Sequence, residues 1–294
     1  MNKTTKVIVS VIFFTIGPIH VYAAENGNSS YPGGASNFGI ALYPTQPGNY
    51  LQANTVFVFS DSFHDANGNK VNNNFDLKII TESFRFMKAY DKKILNADAM
   101  VTELILSYSG VYNSFDVNGQ PLKHDRHGIT DLFVHPISLQ WHVGDHWRWA
   151  GSLIFRVPTD SDVSGRRFSV QPTLGFKYKH DTGVELAVLP RVSFNFNNTE
   201  TNYKTGTEIF IDYMLSHRTG KWHWRISGYY ADQFRDDEKN GVKIKNSKTS
   251  GFGIGPGLRY YHGPFVSSLN WVHDVMAKNK SKNDSITYAI AFAY

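Results

Sequence analysis

Cysteine is absent from this chain of 294 residues, and charged side chains make up only 19% of it. Without cysteine the chain has no disulfide scaffold, no cysteine-containing metal site and no thiol nucleophile. The charged fraction lies below the value of about 25% that soluble domains typically show. Aromatic residues, in contrast, reach 15%. The net charge of +5 is not concentrated in a basic run, which argues against a nucleic-acid-binding protein.

The first 23 residues have the pattern of a secretory signal peptide. Lys3 and Lys6 form a short positive region, and the ten residues Val7–Ile16 form a largely apolar run. This run is shorter than the roughly 20 residues that cross a bilayer as a helix. Val21-Tyr22-Ala23 then places small or tolerated residues before a cleavage site. We expect residues 1–23 to be removed on export, and cleavage after Ala23 or after Ala24 fits the pattern equally well.

Long apolar runs are absent from the remainder of the chain. No stretch of about 18 apolar residues follows the export signal, and the mean hydropathy is −0.34. The mature chain is therefore not expected to cross a membrane as helices. Two classes remain, a soluble exported β protein and a transmembrane β-barrel.

The hydrophobic pattern has a period of two, which is the period of a β-strand. It is clearest at the C-terminus, where large apolar residues alternate with small ones. The large residues are Tyr288, Ile290, Phe292 and Tyr294. A final amphipathic strand of this kind resembles the signal that the barrel-assembly machinery of the bacterial outer membrane reads, so this machinery is an expected partner. Similar alternation over Trp147–Val157 and Val184–Asn197 extends for 11 to 14 residues, beyond the 5 or 6 or so of a typical soluble strand.

Twelve strands are predicted, an even number that suits a bacterial barrel. They are residues 50–63, 73–88, 97–109, 129–143, 146–157, 167–180, 184–197, 204–217, 221–235, 249–261, 264–277 and 284–294. Tight turns such as Gly144-Asp145 alternate with longer polar links, which include Tyr112–Gly128 and Asp236–Lys248. The predicted fold is an all-β, transmembrane, antiparallel up-and-down barrel over residues 50–294. Its expected location is the outer membrane of a Gram-negative bacterium, in contact with outer-membrane lipids.

A proline inside a strand cannot donate a ladder hydrogen bond. Pro136 lies in the fourth strand and Pro256 in the tenth. Four inward-facing glycines surround Pro256, at positions 251, 253, 255 and 257. The pattern indicates a kinked or bulged strand with another group packed against it, or a strand boundary that is misplaced.

Residues 24–49 precede the first predicted strand and show no periodicity. Gly, Pro, Asn and Ser dominate this segment, which is typical of a disordered periplasmic tail. Its apolar residues favour a second interpretation, an ordered segment that plugs the barrel lumen. The candidate plug residues are Tyr31, Phe38, Ile40, Leu42 and Tyr43.

Charged residues recur on the smaller, polar face of the predicted strands. A charge that faces lipid costs about 2–4 kcal/mol near the bilayer midplane, so these residues are assigned to the lumen. They are Asp76, Lys78, Glu82, Glu103, Arg148, Arg156, Lys177, Glu185, Arg191, Glu208, Asp212, Arg225 and Arg259. Many can pair across neighbouring strands. Alternatively they form a selectivity lining for a small-molecule solute, for which the candidates are Arg148, Arg156, Lys177, Arg191, Glu208, Asp212, Arg225 and Arg259. The arginines among them would favour anionic solutes such as aromatic carboxylates.

Enzymatic interpretations have weaker support. A serine hydrolase motif of the form Gly-x-Ser-x-Gly is absent. His124–His127 offers Asp and His in a predicted loop, and Arg235–Lys239 offers carboxylates that suit a hard cation. Both are interpreted as solvated loops. We therefore expect no catalytic residue, no metal site and no cofactor.

Several stretches resemble the phenol-degradation meta-pathway (MetA-pathway) family of outer-membrane proteins. They are Gly33–Ser36, Pro44 with Pro47–Tyr50, Phe194–Asn198, Thr201–Glu208, Tyr229–Gln233 with Asp236, Asp237 and Gly241, Gly255–Tyr260 and, more weakly, Gly128–Leu132. The resemblance covers nearly the whole mature chain. It implies an outer-membrane barrel that transports hydrophobic or aromatic compounds, and it carries no catalytic residue over to this sequence.

The function expected from these observations is uptake of small molecules, among them hydrophobic or aromatic compounds, through an outer-membrane channel. A second possibility is a structural or adhesive barrel that transports nothing, with a lumen closed by paired charges and the N-terminal segment. A barrel hydrolase is a third. The sequence does not indicate the oligomeric state.

Overall fold

The computed structural model describes residues 24–27, 29–36, 39–92 and 94–294. The expected signal peptide, residues 1–23, and the candidate plug residue Phe38 lie outside the described residues. Within the described residues, the one helix is α1 (Ala24–Gly27). None of the chain described here forms a helix that is long and apolar enough to cross a membrane.

The described residues form thirteen strands of ten or more residues. These are β1 (Gly48–Ser60), β2 (Asp76–Tyr90), β3 (Ala99–Val117), β4 (Gln120–Ile129), β5 (Leu132–Val143), β6 (Trp147–Val157), β7 (Ser169–Lys179), β8 (Val184–Asn195), β9 (Glu208–Thr219), β10 (Trp222–Gln233), β11 (Ser250–His262), β12 (Phe265–Lys278) and β13 (Asp284–Ala293). Two-residue strands occur in the connections at Phe63–His64, Lys70–Val71, Tyr203–Lys204, Glu238–Lys239, Val242–Lys243 and Lys280–Ser281.

Twelve of the long strands close into a single antiparallel barrel, as the sequence predicted. Each strand pairs with its sequence neighbours, except that β3 pairs with β5 across the inserted β4. The barrel closes where β1 meets β13, from Tyr50 opposite Ala293 to Phe59 opposite Asp284. Closure leaves no edge of the twelve-strand barrel unpaired, which a spanning structure needs in lipid, whereas the inserted β4 pairs with β3 alone.

The two ends of the barrel differ in the length of their connections. At the short-turn end, residues 91–98, 144–146, 180–183, 220–221 and 263–264 join successive strands. At the long-loop end the connections include residues 61–75, 158–168, 196–207 and 234–249. This asymmetry is typical of outer-membrane barrels, whose periplasmic turns are short.

The link predicted over Tyr112–Gly128 is not a loop but a β-hairpin. β3 continues for 19 residues, and its outer half pairs with β4 from Tyr108–Ile129 to Val117–Gln120. Asn118 and Gly119 form the turn, with φ of 53° and 77°. Two positive φ angles are the signature of a type I′ turn, for which Asn-Gly is the preferred sequence. His124–His127 therefore lies on a strand rather than in a loop.

The alternation places large apolar side chains outside and polar side chains inside for most strands. On β6, for example, Trp147, Trp149 and Leu153 are exposed, whereas Ser152 and Arg156 are buried. The parity predicted for β2 is wrong. Asp76, Lys78 and Glu82 share the outward face with Ile80, Phe84 and Phe86, and Arg85 faces the lumen instead. Charged and apolar residues share one face of this strand. The rule that charged residues face the lumen therefore predicts the wrong face.

Pro136 and Pro256 each lie near a break in the ladder. The register shifts between Val134 and Ile137 bracket Pro136 on β5. On β11 the register shifts between Phe252 and Gly253, a few residues before Pro256. The aromatic ring of Tyr229 packs on Gly253, where an added Cβ would lie 2.6 Å from the ring. The glycines of β11 thus leave room for neighbouring side chains in the lumen.

Candidate functional site

The N-terminal segment, residues 24–47, contacts inward-facing residues of the barrel along its length. Its first residues lie at the long-loop end, and it reaches β1 at the short-turn end.

At the long-loop end, Ala24 is fully buried and its backbone nitrogen lies 2.9 Å from Asp237 Oδ2. The Glu25 carboxylate accepts a hydrogen bond of 2.8 Å from Asn198 Nδ2. Asp237 belongs to the connection between β10 and β11, and Asn198 to the connection between β8 and β9. The segment is therefore tied to two long loops.

Deeper in the lumen, two serines of the segment contact the Glu208 carboxylate on β9. Ser29 Oγ donates a hydrogen bond of 2.9 Å to Glu208 Oε1, and Ser30 contacts the same carboxylate through its amide and its hydroxyl. Asn195 Nδ2 also donates to Glu208, at 3.0 Å. Gln171 Nε2 donates to the Ser30 carbonyl oxygen at 3.3 Å. Polar side chains of β9 and β7 thus satisfy the backbone of Ser30.

Tyr31 lies at the centre of the next layer. Its hydroxyl donates to Asp212 Oδ2 at 2.6 Å, and the Arg191 guanidinium lies over its ring at 3.8 Å. Asp212 also accepts the amides of Gly34, at 2.9 Å, and Ser36, at 3.1 Å. Two of the candidate selectivity residues, Asp212 and Arg191, are therefore engaged with the segment.

A close backbone approach accompanies these bonds. A Cβ on Gly33 would lie 2.3 Å from Tyr229 Cδ2, a side chain that projects inward from β10. Only glycine fits this position without displacement of the ring.

Toward the short-turn end, the segment is held by apolar packing. Ile40 and Ala41 are buried against Ala150, Ala187 and Met214, with Tyr43 and Leu189 alongside. The Tyr43 amide donates to Gln140 Oε1 at 2.8 Å. Leu42 is half-buried, and its amide donates to the Gly39 carbonyl oxygen at 3.2 Å. Of the candidate plug residues, Tyr31, Ile40 and Tyr43 thus contact the barrel interior, and the Leu42 amide bonds within the segment.

All eight candidate selectivity residues occupy inward-facing positions on β6 to β11. Arg156 Nε bonds to Asp131 Oδ2 at 2.5 Å, and Lys177 Nζ to Glu185 Oε2 at 3.1 Å. Arg148 is half-buried at the short-turn end of β6.

Arg225 and Arg259 lie on the adjacent strands β10 and β11, two residue pairs apart in the register. Arg259 borders a small cavity of about 30 Å³ between the segment and the opposite wall. Most of the cavity lining is small or uncharged, namely Ser36, Gly39, Gln52, Val266, Ser268, Ala289 and Ala291. The segment thus packs on the charged side of the barrel, and space remains on the weakly charged side.

Asp237 is a residue whose environment sequence reasoning missed. Arg235–Lys239 was expected to be a solvated loop, yet Asp237 is fully buried. Burial raises the pKa of its carboxyl group, against the hydrogen bonds that it accepts from Tyr203 and others. Burial of the phenol raises the pKa of Tyr203, and the hydrogen bond to the Asp237 carboxyl group raises this pKa further. In a run of charged residues, the sequence does not indicate which member is buried.

Among the described residues, no group of three or more His, Asp or Glu side chains is placed to hold a metal ion.

The closed antiparallel barrel, apolar outside and polar inside, defines the fold class as that of the outer-membrane β-barrels. The COG4313 outer membrane channel from Pseudomonas putida F1 has a similar structure, with a TM-score of 0.72 and 11% sequence identity over 90% of this chain and 100% of that chain. The translocator domain of the autotransporter NalP from Neisseria meningitidis aligns with a TM-score of 0.50 and 11% identity, over 88% of this chain and 92% of that chain. At such low identity these similarities concern the fold.

The family is established by the sequence itself. The profile of the family described as "Putative MetA-pathway of phenol degradation" matches residues 60–290, and the chain belongs to this family. None of the curated proteins compared with the chain matches it significantly.

Proposed function

We propose that the protein is a channel in the outer membrane of a Gram-negative bacterium, through which small molecules enter the cell. One observation carries this proposal. The lumen is occupied by a segment that is held by side-chain hydrogen bonds and small apolar contacts, beside a small cavity of about 30 Å³. A segment held in this way can shift without disturbing the barrel ladder, whereas an added strand could not. The family name suggests hydrophobic or aromatic compounds as the solute class.

In this proposal residues 24–47 constrict the lumen. The bonds of Ser29 and Ser30 to Glu208 and of Tyr31 to Asp212 support it, as does the burial of Ile40. A net hydrogen bond contributes only about 0.5–1.5 kcal/mol, or about 1.5–3 kcal/mol when one partner is charged. The segment is therefore held by several moderate contributions, which suits a constriction that partly yields during transport.

The solute path is proposed to run between the segment and the wall formed by β12, β13 and β1. This wall presents Ser268, Ala289, Ala291 and Gln52 to the cavity. Small side chains make room for a solute once the segment shifts, and the lack of charge suits a neutral or aromatic solute. Arg259 is the selectivity candidate that borders this path, and Arg225 lies beside it. Arg148, Arg156, Lys177, Arg191, Glu208 and Asp212 then act mainly by holding the segment and the barrel wall.

Insertion into the membrane is proposed to depend on the last strand. Tyr288, Ile290 and Phe292 alternate along β13, and Tyr294 follows it with 66% exposure. Their outward face is the surface that the assembly machinery and the surrounding lipids would contact. No catalytic role is assigned to any residue.

The test is single-channel conductance in planar bilayers, for the mature protein and for a variant that lacks residues 24–47. We expect both to conduct, with a larger unitary conductance for the shortened variant. Both samples must first show the folded barrel by β-sheet circular dichroism. Absence of conductance from both folded proteins would contradict the channel. For the solute, growth of a deletion strain on aromatic carbon sources, with and without the gene restored, identifies the compounds that need this protein.

A barrel that transports nothing is the second candidate, because the charged side of the lumen is extensively paired. Ion pairs such as Arg156–Asp131 and Lys177–Glu185 fill that side with fixed side chains. This candidate predicts a closed mature protein that conducts only after removal of the segment, or not at all. The comparison of conductance between the mature protein and the variant that lacks residues 24–47 therefore separates the two candidates.

A further inference from the structure

At the long-loop end, the N-terminal segment begins with a buried contact between a backbone nitrogen and a carboxylate. Ala24 N lies 2.9 Å from Asp237 Oδ2, and both residues have 0% of their surface exposed. The contact joins residues that are 213 positions apart in the chain. It fixes the start of the segment to the connection between β10 and β11.

The Asp237 carboxylate has several hydrogen-bond donors, but they are neutral. Tyr203 Oη donates to Oδ2 at 2.5 Å, and Oδ1 accepts Gly206 N at 2.8 Å and Gln233 Nε2 at 2.6 Å. In the part of the chain that the structure describes, no lysine, arginine or histidine forms an ion pair with Asp237. Glu25, the neighbouring charged group on the segment, is also an acid. A buried carboxylate without a counter-charge is costly.

The nitrogen in this contact belongs to one of the two bonds at which export cleavage is expected. Hydrolysis of the Ala23–Ala24 peptide bond by a signal peptidase consumes one water molecule. The carbonyl carbon of Ala23 becomes a carboxylate, and Ala24 N becomes an amine. An α-amino group has a pKa of about 8, so it takes up a proton and is cationic at neutral pH. Cleavage after Ala24 would instead remove the residue that contacts Asp237.

We infer that export cleavage occurs between Ala23 and Ala24, and that the new α-ammonium group of Ala24 forms a buried ion pair with Asp237 that anchors the segment in the lumen. The backbone agrees, because Ala24 has φ of 46°, in the left-handed region that alanine rarely adopts. A residue with a free amino group has no preceding peptide unit and no such restriction. Cleavage must precede folding, since Ala24 is buried in the folded barrel.

The first test is the N-terminal sequence and intact mass of the protein isolated from outer membranes. We expect the mature chain to begin at Ala24. A chain that begins at Glu25, or one that retains residues before Ala24, overturns the inference. This measurement is independent of whether the barrel conducts.

The second test separates the charge from the hydrogen bond. The mature protein is refolded with a free or an acetylated Ala24 amino group, and chymotrypsin cleavage within residues 24–47 is timed. Acetylation keeps an N–H donor but removes the charge, so we expect cleavage to accelerate by about 30-fold, as for the loss of one partner of a buried ion pair. Equal cleavage rates for the free and the acetylated protein would show that Asp237 acts only as a hydrogen-bond acceptor. That result would overturn the ion pair.

Substitutions provide the third test. Asp237→Asn should accelerate cleavage similarly, whereas the neighbouring, partly exposed Asp236→Asn should leave the rate unchanged. If Asp237→Asn does not fold, a mature protein that retains Ala23 serves instead, because one extra residue moves the ammonium group by about 3.8 Å. Unchanged cleavage in that protein would also overturn the anchor.

Discussion

The hydroxyl group of Tyr31 donates a hydrogen bond of 2.6 Å to Asp212 Oδ2, deep in the barrel. Tyr31 belongs to the N-terminal segment and Asp212 to β9, 181 positions later. The same carboxylate accepts the amides of Gly34 and Ser36. One barrel side chain thus binds three residues of the segment. Substitutions at this contact should therefore loosen the segment.

We predict that Tyr31→Phe and Asp212→Asn both loosen the segment, the second more strongly. The first removes one hydrogen bond to a charged acceptor, worth about 1.5–3 kcal/mol. The second weakens three such bonds at once. Single-channel recordings should show more frequent or longer high-conductance states. Tyr213→Phe is the matched control, because its hydroxyl donates to the Gly253 carbonyl oxygen on β11 rather than to the segment. A response of Tyr213→Phe equal to that of Tyr31→Phe would count against this role for Tyr31.

Gly33→Ala should prevent the segment from seating fully. The added Cβ would overlap the Tyr229 ring at 2.3 Å, and overpacking of this kind costs about 1–3 kcal/mol. Gly39→Ala is the control, since its Cβ would lie 3.4 Å from the flexible end of Arg85. Chymotrypsin cleavage within residues 24–47 should accelerate for Gly33→Ala alone. Similar rates in the two variants would mean that the close approach at Gly33 does not limit docking.

Arg259→Gln should reduce the preference for anions over cations. Two unit charges about 4 Å apart interact by about 1 kcal/mol in water, so a roughly fivefold drop in the permeability ratio is expected. Reversal potentials in a salt gradient measure this ratio. Lys78→Gln removes the same charge from an outward-facing, exposed position and should leave the ratio unchanged. If neither Arg259→Gln nor the double variant Arg191→Ala/Arg225→Ala alters the reversal potential, arginine-based selectivity is wrong.

The buried pair Lys177–Glu185 should matter for stability rather than for transport. Lys177→Met leaves the Glu185 carboxylate without the lysine that lies 3.1 Å away, and breaking such a pair costs about 3–5 kcal/mol. The double variant Lys177→Met/Glu185→Leu should recover most of the loss. Lys78→Met breaks an exposed pair and should cost less than about 1 kcal/mol. Urea unfolding in liposomes, followed by tryptophan fluorescence, gives the midpoints. Equal urea-unfolding midpoints for Lys177→Met and Lys78→Met would contradict this role of the buried pair in stability.

Strand parity explains both the successes and the failures of sequence reasoning. On β6, Trp147, Trp149 and Arg156 sort cleanly by period, because the outward residues are aromatic and the inward ones polar. On β2 the outward face carries Glu82 between Ile80 and Phe84. The rule that charged residues face the lumen therefore predicts the wrong face for Glu82. The β3–β4 hairpin was missed although Asn118-Gly119 signals a tight turn, because the strands around it are rich in polar residues.

The sequence by itself determined the export signal pattern, the family, the all-β class and the twelve-strand count. It could do so because period-two alternation, strand length and turn residues are local properties of the chain. Only the tertiary structure decided which distant groups meet, such as Tyr31 with Asp212 and Ala24 with Asp237. Alternation specifies the face of a strand but not its register or the path of a segment without periodicity. Those depend on closure of the barrel, which brings loops and strands from all parts of the chain around one lumen.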